Sequence, residues 1–415
     1  MLVEATRYWA ELQPYRSERL RCKNYTYGKQ WNDIVTSEDG RRITEEQYIR
    51  EQGSAPLKNN LIRKIVRNVL GVFRNNYSIP GYKELPIDTG FTESLRTNEQ
   101  DADRLSRLYA RTIRENSMSE IFSRVLEEYL IGGLAVLRKR FSLEAGGRVI
   151  SEIVRPESFF FNTDAVDPRG LDIHTIGEFH ELKESGGRMT EIWRREGSLW
   201  RYYFLDESGE IVLEGDSPFP SGTHPYVMKA YPFIDGEIHS FVADCIDQQR
   251  YINRLITLND WIIRASAKGV LLFPECAIPD DLELEDIANQ WAKYNGVIRY
   301  KSRTGMPLPQ QVSTNSTNVG ITELLEVQLK MMEDVSGINA ALQGQLTSGA
   351  VSGTLYAQQT RHALTGLSDI LEGFRVFMTE SGMKDVEMLR LGFPGTREPR
   401  LRQTKISRTT RKAPV

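Results

Sequence analysis

Cysteine is scarce in these 415 residues, with only Cys22, Cys245 and Cys276, an odd number and never at C-x-x-C spacing. That argues against both a disulfide framework and a structural zinc site and places the chain in a reducing compartment. Long apolar runs are missing too, and the N-terminus lacks a basic segment followed by an apolar one, so neither a membrane span nor a secretory signal is expected. The five histidines (His174, His180, His224, His239, His362) never stand at metal-ligand spacing. There is no G-x-x-x-x-G-K-[ST] phosphate loop, no G-x-G-x-x-G after a strand and no G-x-S-x-G elbow. The expectation is a protein that is not an enzyme and needs no cofactor and no metal.

What the chain does contain is ordinary soluble composition, 40% hydrophobic and 26% charged. That is enough for two or three cores at the usual ~100–200 residues per domain. The net charge of -3 hides an asymmetry. Residues 395–415 carry seven bases (Arg397, Arg400, Arg402, Lys405, Arg408, Arg411, Lys412) against Glu398, so the tail holds +6 and the rest about -9. A basic tail on an acidic body implies a polyanion or an acidic partner, or else a solvated tail with neither.

Along the chain the hydrophobic period changes. Residues 1–56 interleave rings (Tyr8, Trp9, Tyr15, Tyr25, Tyr27, Trp31) with bases (Arg16, Arg19, Arg21, Lys23, Lys29), a pattern of nucleic-acid stacking or of an arm that packs its rings on a neighbouring surface. Helical spacing follows over 57–73 and, as one amphipathic helix, over 99–131, stopped by Gly132-Gly133. Leu134 opens a strand, and from Val149 to Leu213 the period is two, predicting an antiparallel sheet of four or five strands. Residues 215–231 form a Pro-rich connection. Beyond it, 238–268 predicts a long helix whose apolar stripe is broken by Gln248, Gln249, Asn253 and Asn259, as for a helix packed beside copies of itself or another partner. Two more helices are expected over 321–338 and 354–389.

Two stretches stand out. Residues 274–286 hold six acids and no base (Glu275, Asp280, Asp281, Glu283, Glu285, Asp286), and the bases Lys293, Arg299, Lys301 and Arg303 follow directly. Such a module is self-complementary between neighbouring copies and could close a ring head to tail, or it could pair internally. The second stretch, 335–360, has no charged side chain at all and is rich in Gly and Ser. A neutral, flexible loop between two helices can touch a polyanion without trapping it.

The order of these elements resembles the tailed-bacteriophage portal proteins. The carriers are Asp247-Gln248-Gln249 and Asn253 in the long helix, the compact segment 270–318, Val335-Ser336-Gly337-Ile338 closing the next helix, Ser352-Gly353-Thr354 opening the last, and Val154-Arg155-Pro156-Glu157-Ser158-Phe159. The resemblance implies an α+β portal-like fold: an N-terminal arm (1–56), an α/β wing with an antiparallel sheet (57–237), a stem helix (238–269), a small α/β clip (270–318), a second stem helix (319–342), a tunnel loop (343–353), a tunnel helix (354–390) and a basic tail (391–415) in place of a folded crown. It also implies a homo-oligomeric ring, expected as a dodecamer, at one capsid vertex of the virion and assembled in the host cytoplasm. The large terminase subunit would drive double-stranded DNA through it for packaging, and ejection would follow the same path. The competing class is another viral head or scaffold protein without a channel.

On this reading Gln343, Gly344, Gln345, Thr347, Ser348, Gly349, Ser352 and Gly353 contact DNA without sequence preference. Asp280, Asp281, Glu283, Glu285 and Asp286 dock the motor and the head-tail adaptor. Lys293, Arg299, Lys301 and Arg303 bind the neighbouring subunit, and the capsid protein is the remaining partner.

Overall fold

The computed structural model describes residues 1–76, 79, 99–143, 147–167, 170–182, 187–231, 233–268, 270–292, 296–302, 305, 307–312, 319–338 and 366–392. In chain order the elements are α1 (Leu2–Glu11), α2 (Gln13–Thr26), β1 (Ile34–Thr36), β2 (Arg42–Thr44), α3 (Glu45–Glu51), α4 (Leu61–Asn76), α5 (Glu99–Glu115), α6 (Met118–Gly132), β3 (Leu134–Ser142), β4 (Arg148–Ile153), β5 (Phe159–Phe161), β6 (Thr175–Glu181), β7 (Arg188–Glu196), β8 (Leu199–Leu205) and β9 (Ile211–Asp216). They continue with β10 (Tyr226–Ala230), β11 (Phe233–Ile234), β12 (Glu237–Ile238), α7 (Ala243–Lys268), β13 (Val270–Leu272), α8 (Leu284–Ala292), β14 (Gln310–Val312), α9 (Val319–Ser336) and α10 (Ser368–Gly392). The fold is mixed α+β with antiparallel sheets. The chain divides into two compact units, one of residues 1–27, 62–244 and 336–415, the other of 28–61 and 245–335.

In the first unit the period-two stretch folds as expected into a five-stranded antiparallel meander in the order β5-β6-β7-β8-β9. Alternation sends its apolar residues to two faces. Phe159, Phe161, Ile176 and Trp193 enter one core, while Phe160, Ile192, Tyr203 and Leu205 enter another closed by Ala5 and Tyr8 of α1. Gly177 sits opposite Phe160, where a Cβ would come within 2.6 Å of that ring and 2.1 Å of the Glu191 carbonyl oxygen. The strand around Val149 pairs elsewhere: β4 joins β3 and β10 in a separate three-stranded sheet. β10 lies inside the stretch read from its prolines as a connection, since Pro225 ends just before the ladder begins.

The helix expected over 99–131 is two helices. Asn116 Nδ2 donates to the carbonyls of Thr112 (2.9 Å) and Val149 (2.8 Å), its Oδ1 accepts from the Ser151 amide (3.1 Å), and Ser117 then adopts φ 51°. The Asn116 side chain thus ties the chain to β4 and offers the backbone an alternative to a continued helix. The stop at Gly133 is as expected, with φ 73° and its amide bonded to the Tyr129 carbonyl. Phe374 of α10 is fully buried against Phe73 of α4 and Phe122 of α6, at ring-centroid separations of 5.4 and 6.3 Å.

In the second unit β1 and β2 form a hairpin, and α3 opens with a capping box between Thr44 and Gln47. Glu45 is nearly fully buried and accepts from Arg250 Nε (3.0 Å) and Arg254 Nε (2.7 Å) of α7. β13 pairs with β14, and α8 and α9 complete the unit. Among the described residues no helix is long and apolar enough to cross a membrane.

Candidate assembly and docking surfaces

Several of the N-terminal rings and bases pack within the chain. Trp9 donates its Nε1 to the Glu157 carbonyl (2.8 Å), meets Phe179 edge-on at 6.0 Å, and is covered by the Arg16 guanidinium at 4.1 Å. Arg19 is almost wholly buried. It binds Glu128 of α6 through Nη2 (2.8 Å) and Glu157 through Nη1 (2.6 Å). The Arg155-Pro156-Glu157-Ser158 segment is therefore a turn, closed by the Ser158 and Phe159 amides on the Arg155 carbonyl, and the Glu157 carboxylate anchors α2.

Two of the four polar breaks of α7, Gln249 and Asn253, have an internal use. Gln249 and Asn253 have no exposed surface. Gln249 Nε2 donates to the Asn59 carbonyl (2.7 Å) and its Oε1 accepts from the Leu61 amide (2.9 Å). Asn253 Oδ1 accepts from the Asn59 amide (3.0 Å), and its Nδ2 donates to Gln30 Oε1 (2.7 Å). Thr257 Oγ1 accepts from the Leu57 amide at 3.2 Å. Buried polar side chains at 249, 253 and 257, two amides and a hydroxyl one helical turn apart, satisfy a non-helical backbone strap that could not otherwise be buried.

The acidic run is split. A short 3₁₀ turn (Glu275–Ala277) precedes Asp280 and Asp281, which are paired inside the chain: Arg299 Nη2 lies 2.8 Å from Asp281, and Lys301 Nζ binds Asp280. The Arg299 guanidinium holds the Asp281 carboxyl below its usual range. The Lys301 amide also donates to the Ala277 carbonyl (2.8 Å). The internal pairing left open by the sequence is thus formed at both positions. Glu283, Glu285 and Asp286 gather at the start of α8, where the Glu283 amide donates to Asp286 Oδ2 (3.0 Å) and acids suit the helix dipole. Among the described residues these three make no ion pair. Lys293, Arg303 and the whole loop of Gln343, Gly344, Gln345, Thr347, Ser348, Gly349, Ser352 and Gly353 lie outside the described residues.

Sequence reading did not single out the outer face of α9. Leu324, Val327, Met331 and Val335 fall at i, i+3, i+7 and i+11, and each is between 36% and 49% exposed, while Met332 and Gln328 turn inward. The signal was available, since the helix is apolar on more than one side, but periodicity alone does not say which side the chain itself covers.

Apolar helix faces and acidic helix ends at the surface, above interiors held by buried polar ties, are features of an assembly component. Two overlapping stretches, residues 3–185 and 175–401, match the model of the phage P22-like portal protein family, and the chain belongs to that family. It is a structural, non-enzymatic family, and membership gives the chain a phage portal role at the capsid vertex. No curated protein matches the chain.

Proposed function

We propose that the chain assembles into a closed ring at one capsid vertex and that double-stranded DNA passes through this ring during packaging and ejection. The observation that carries the reading is the exposed stripe Leu324, Val327, Met331 and Val335 on α9, in a chain matched to a portal family from residue 3 to 401. Four large apolar side chains in one row are costly in water, at ~25 cal/mol per Å2, and a neighbouring copy would cover them.

In this reading 57–237 acts as a wing, 238–269 and 319–342 as stems and 270–318 as a clip. Glu283, Glu285 and Asp286 steer basic surfaces of the terminase large subunit and the head-tail adaptor, setting on-rate more than affinity. Arg299 and Lys301 reach the next subunit while still holding Asp281 and Asp280, and Lys293 and Arg303 add to the same contact between subunits. The neutral loop 343–353 touches moving DNA, where lysines would add drag by stepwise phosphate binding.

Native mass measurement tests the reading, with an oligomer of about a dozen copies expected for a closed cyclic assembly and a central hole in images. Leu324→Glu with Met331→Glu should leave a folded monomer. A stable monomer of the unmodified chain, or a closed assembly without a hole, would overturn it, the second in favour of a head protein that forms no conduit.

A further inference from the structure

β9 is the outer strand of the five-stranded meander among the described residues, and it is poorly protected for an edge. Ile211, Val212 and Leu213 are 49%, 65% and 52% exposed, and no proline or lysine interrupts the strand. Leu205 pairs with Ile211 and Phe204 with Leu213, so Val212 is the extra residue of a bulge and has no partner on β8. Apolar edges of this kind pair with another strand unless something discourages it.

The charge around β9 says which strand it will accept. Residues 206–216 contain Asp206, Glu207, Glu210, Glu214 and Asp216 and no base. Asp216 meets Arg201 at 3.0 Å on the neighbouring strand, but Glu210 and Glu214 pair with no cation among the described residues. This acidity repels DNA and repels a second copy of β9, and it favours an extended basic segment.

The chain carries such a segment, and its starting point lies nearby. α10 ends at Gly392, and Glu387, five residues earlier, accepts from the Ser221 amide at 2.7 Å. Ser221 belongs to the turn that leaves β9: Ser217, directly after Asp216, donates its amide to the Trp200 carbonyl (2.8 Å) and its hydroxyl to the Thr223 carbonyl. The last turns of α10 therefore meet the turn that follows the C-terminal end of β9. Eight residues separate Gly392 from Arg400, a reach of up to ~28 Å, and Arg400-Leu401-Arg402-Gln403-Thr404-Lys405 alternates basic and neutral positions.

We propose that residues 400–405 of the same chain add to β9 as a sixth, antiparallel strand, with Arg400 opposite Asp216, Arg402 opposite Glu214 and Thr404 opposite Val212. Entry from the Asp216 end dictates the antiparallel direction. The register sets both acids against arginines on one face and places the β-branched Thr404 beside Val212. The basic tail is then spent on the wing sheet rather than on DNA.

The test uses the full chain with Cys276→Ser, Val212→Cys and Thr404→Cys under mild oxidation, read by non-reducing gels and peptide mass. An intrachain cross-link is expected. Glu214→Lys with Asp216→Lys should lower the yield several-fold, and adding Arg400→Glu and Arg402→Glu should restore it. Amide exchange on the unmodified chain should be slow at 400–405, and removal of 396–415 should speed exchange in β9. A cross-link insensitive to charge reversal, rapid exchange at 400–405, or covalent dimers from a neighbour's tail would overturn the proposal. So would DNA retention that depends on the tail and leaves β9 unprotected, which assigns the tail to a polyanion.

Discussion

Gln249 and Asn253 stand one turn apart on α7, and Gln249 Nε2 donates to Asn253 Oδ1 at 3.0 Å with both side chains fully buried. Together they satisfy the amides of Asn59 and Leu61 and the carbonyl of Asn59. Asn253→Leu should therefore destabilise the chain by about 2–4 kcal/mol in denaturant unfolding, because backbone groups are orphaned in the interior. A second change, Gln249→Leu, should not recover the loss, since the strap's own polar groups remain. Recovery in the double variant would mean that the strap has moved to solvent.

Lys139 of β3 and Asp385 of α10 lie 2.7 Å apart, both essentially without exposure, and Lys139 Nζ also donates to Ser151 Oγ at 2.8 Å. Burial lowers the Lys139 pKa and raises that of Asp385. Lys139→Met should cost about 3–5 kcal/mol by stranding the acid, whereas Lys139→Met with Asp385→Leu should come within about 1 kcal/mol of the unmodified chain or exceed it. Equal losses in the single and double variants would show that the pair is not the source of the cost.

His224 packs edge-on against Trp200 at 4.6 Å and accepts from the Tyr226 amide at 3.2 Å. Burial, and then the charge of Lys384, pushes its pKa down to about 3 from an ordinary 6.5. The folded chain holds the ring neutral while the unfolded chain protonates it, so stability falls as pH drops from about 6.5 towards 3. The ring keeps some exposure, and solvent moderates the loss. Between pH 7 and 4 the unmodified chain should lose at least ~1 kcal/mol more than His224→Gln, which keeps an acceptor for Tyr226 and does not titrate. Parallel pH profiles would remove the assignment.

A Cβ at Gly133 would lie 1.8 Å from the His239 carbonyl oxygen, at φ 73°. Gly133→Ala should lower stability by more than ~2 kcal/mol in thermal or denaturant unfolding, combining left-handed strain of ~1–2 kcal/mol with a clash against backbone. Gly40→Ala, at φ 76° with open space around it, supplies the comparison, since it should show the strain alone.

Much of the candidate surface was legible at short range and little of it at long range. The acids of residues 274–286 and the bases after them were visible as runs, yet only the fold brings Asp281 to Arg299 and Asp280 to Lys301. The α9 stripe could be seen as apolar, but exposure depends on what the rest of the chain covers. The bases of the first 30 residues look alike in sequence, although Arg19 is spent on Glu128 and Glu157 while others remain in solvent.

The sequence by itself determined the local periods: strands alternating from Val149 to Leu213, helices ending at Gly133 and Gly337, and a family pattern extending over most of the chain. Those depend on residues within a turn or two of one another. Tertiary structure alone decided that β4 leaves the meander for β3, that Asn116 breaks a helix by bonding to Val149, and that Gln249 and Asn253 face a strap almost 200 residues away. A buried polar side chain is specified by the partner that satisfies it, and that partner is set by the path of the whole backbone rather than by neighbours in sequence.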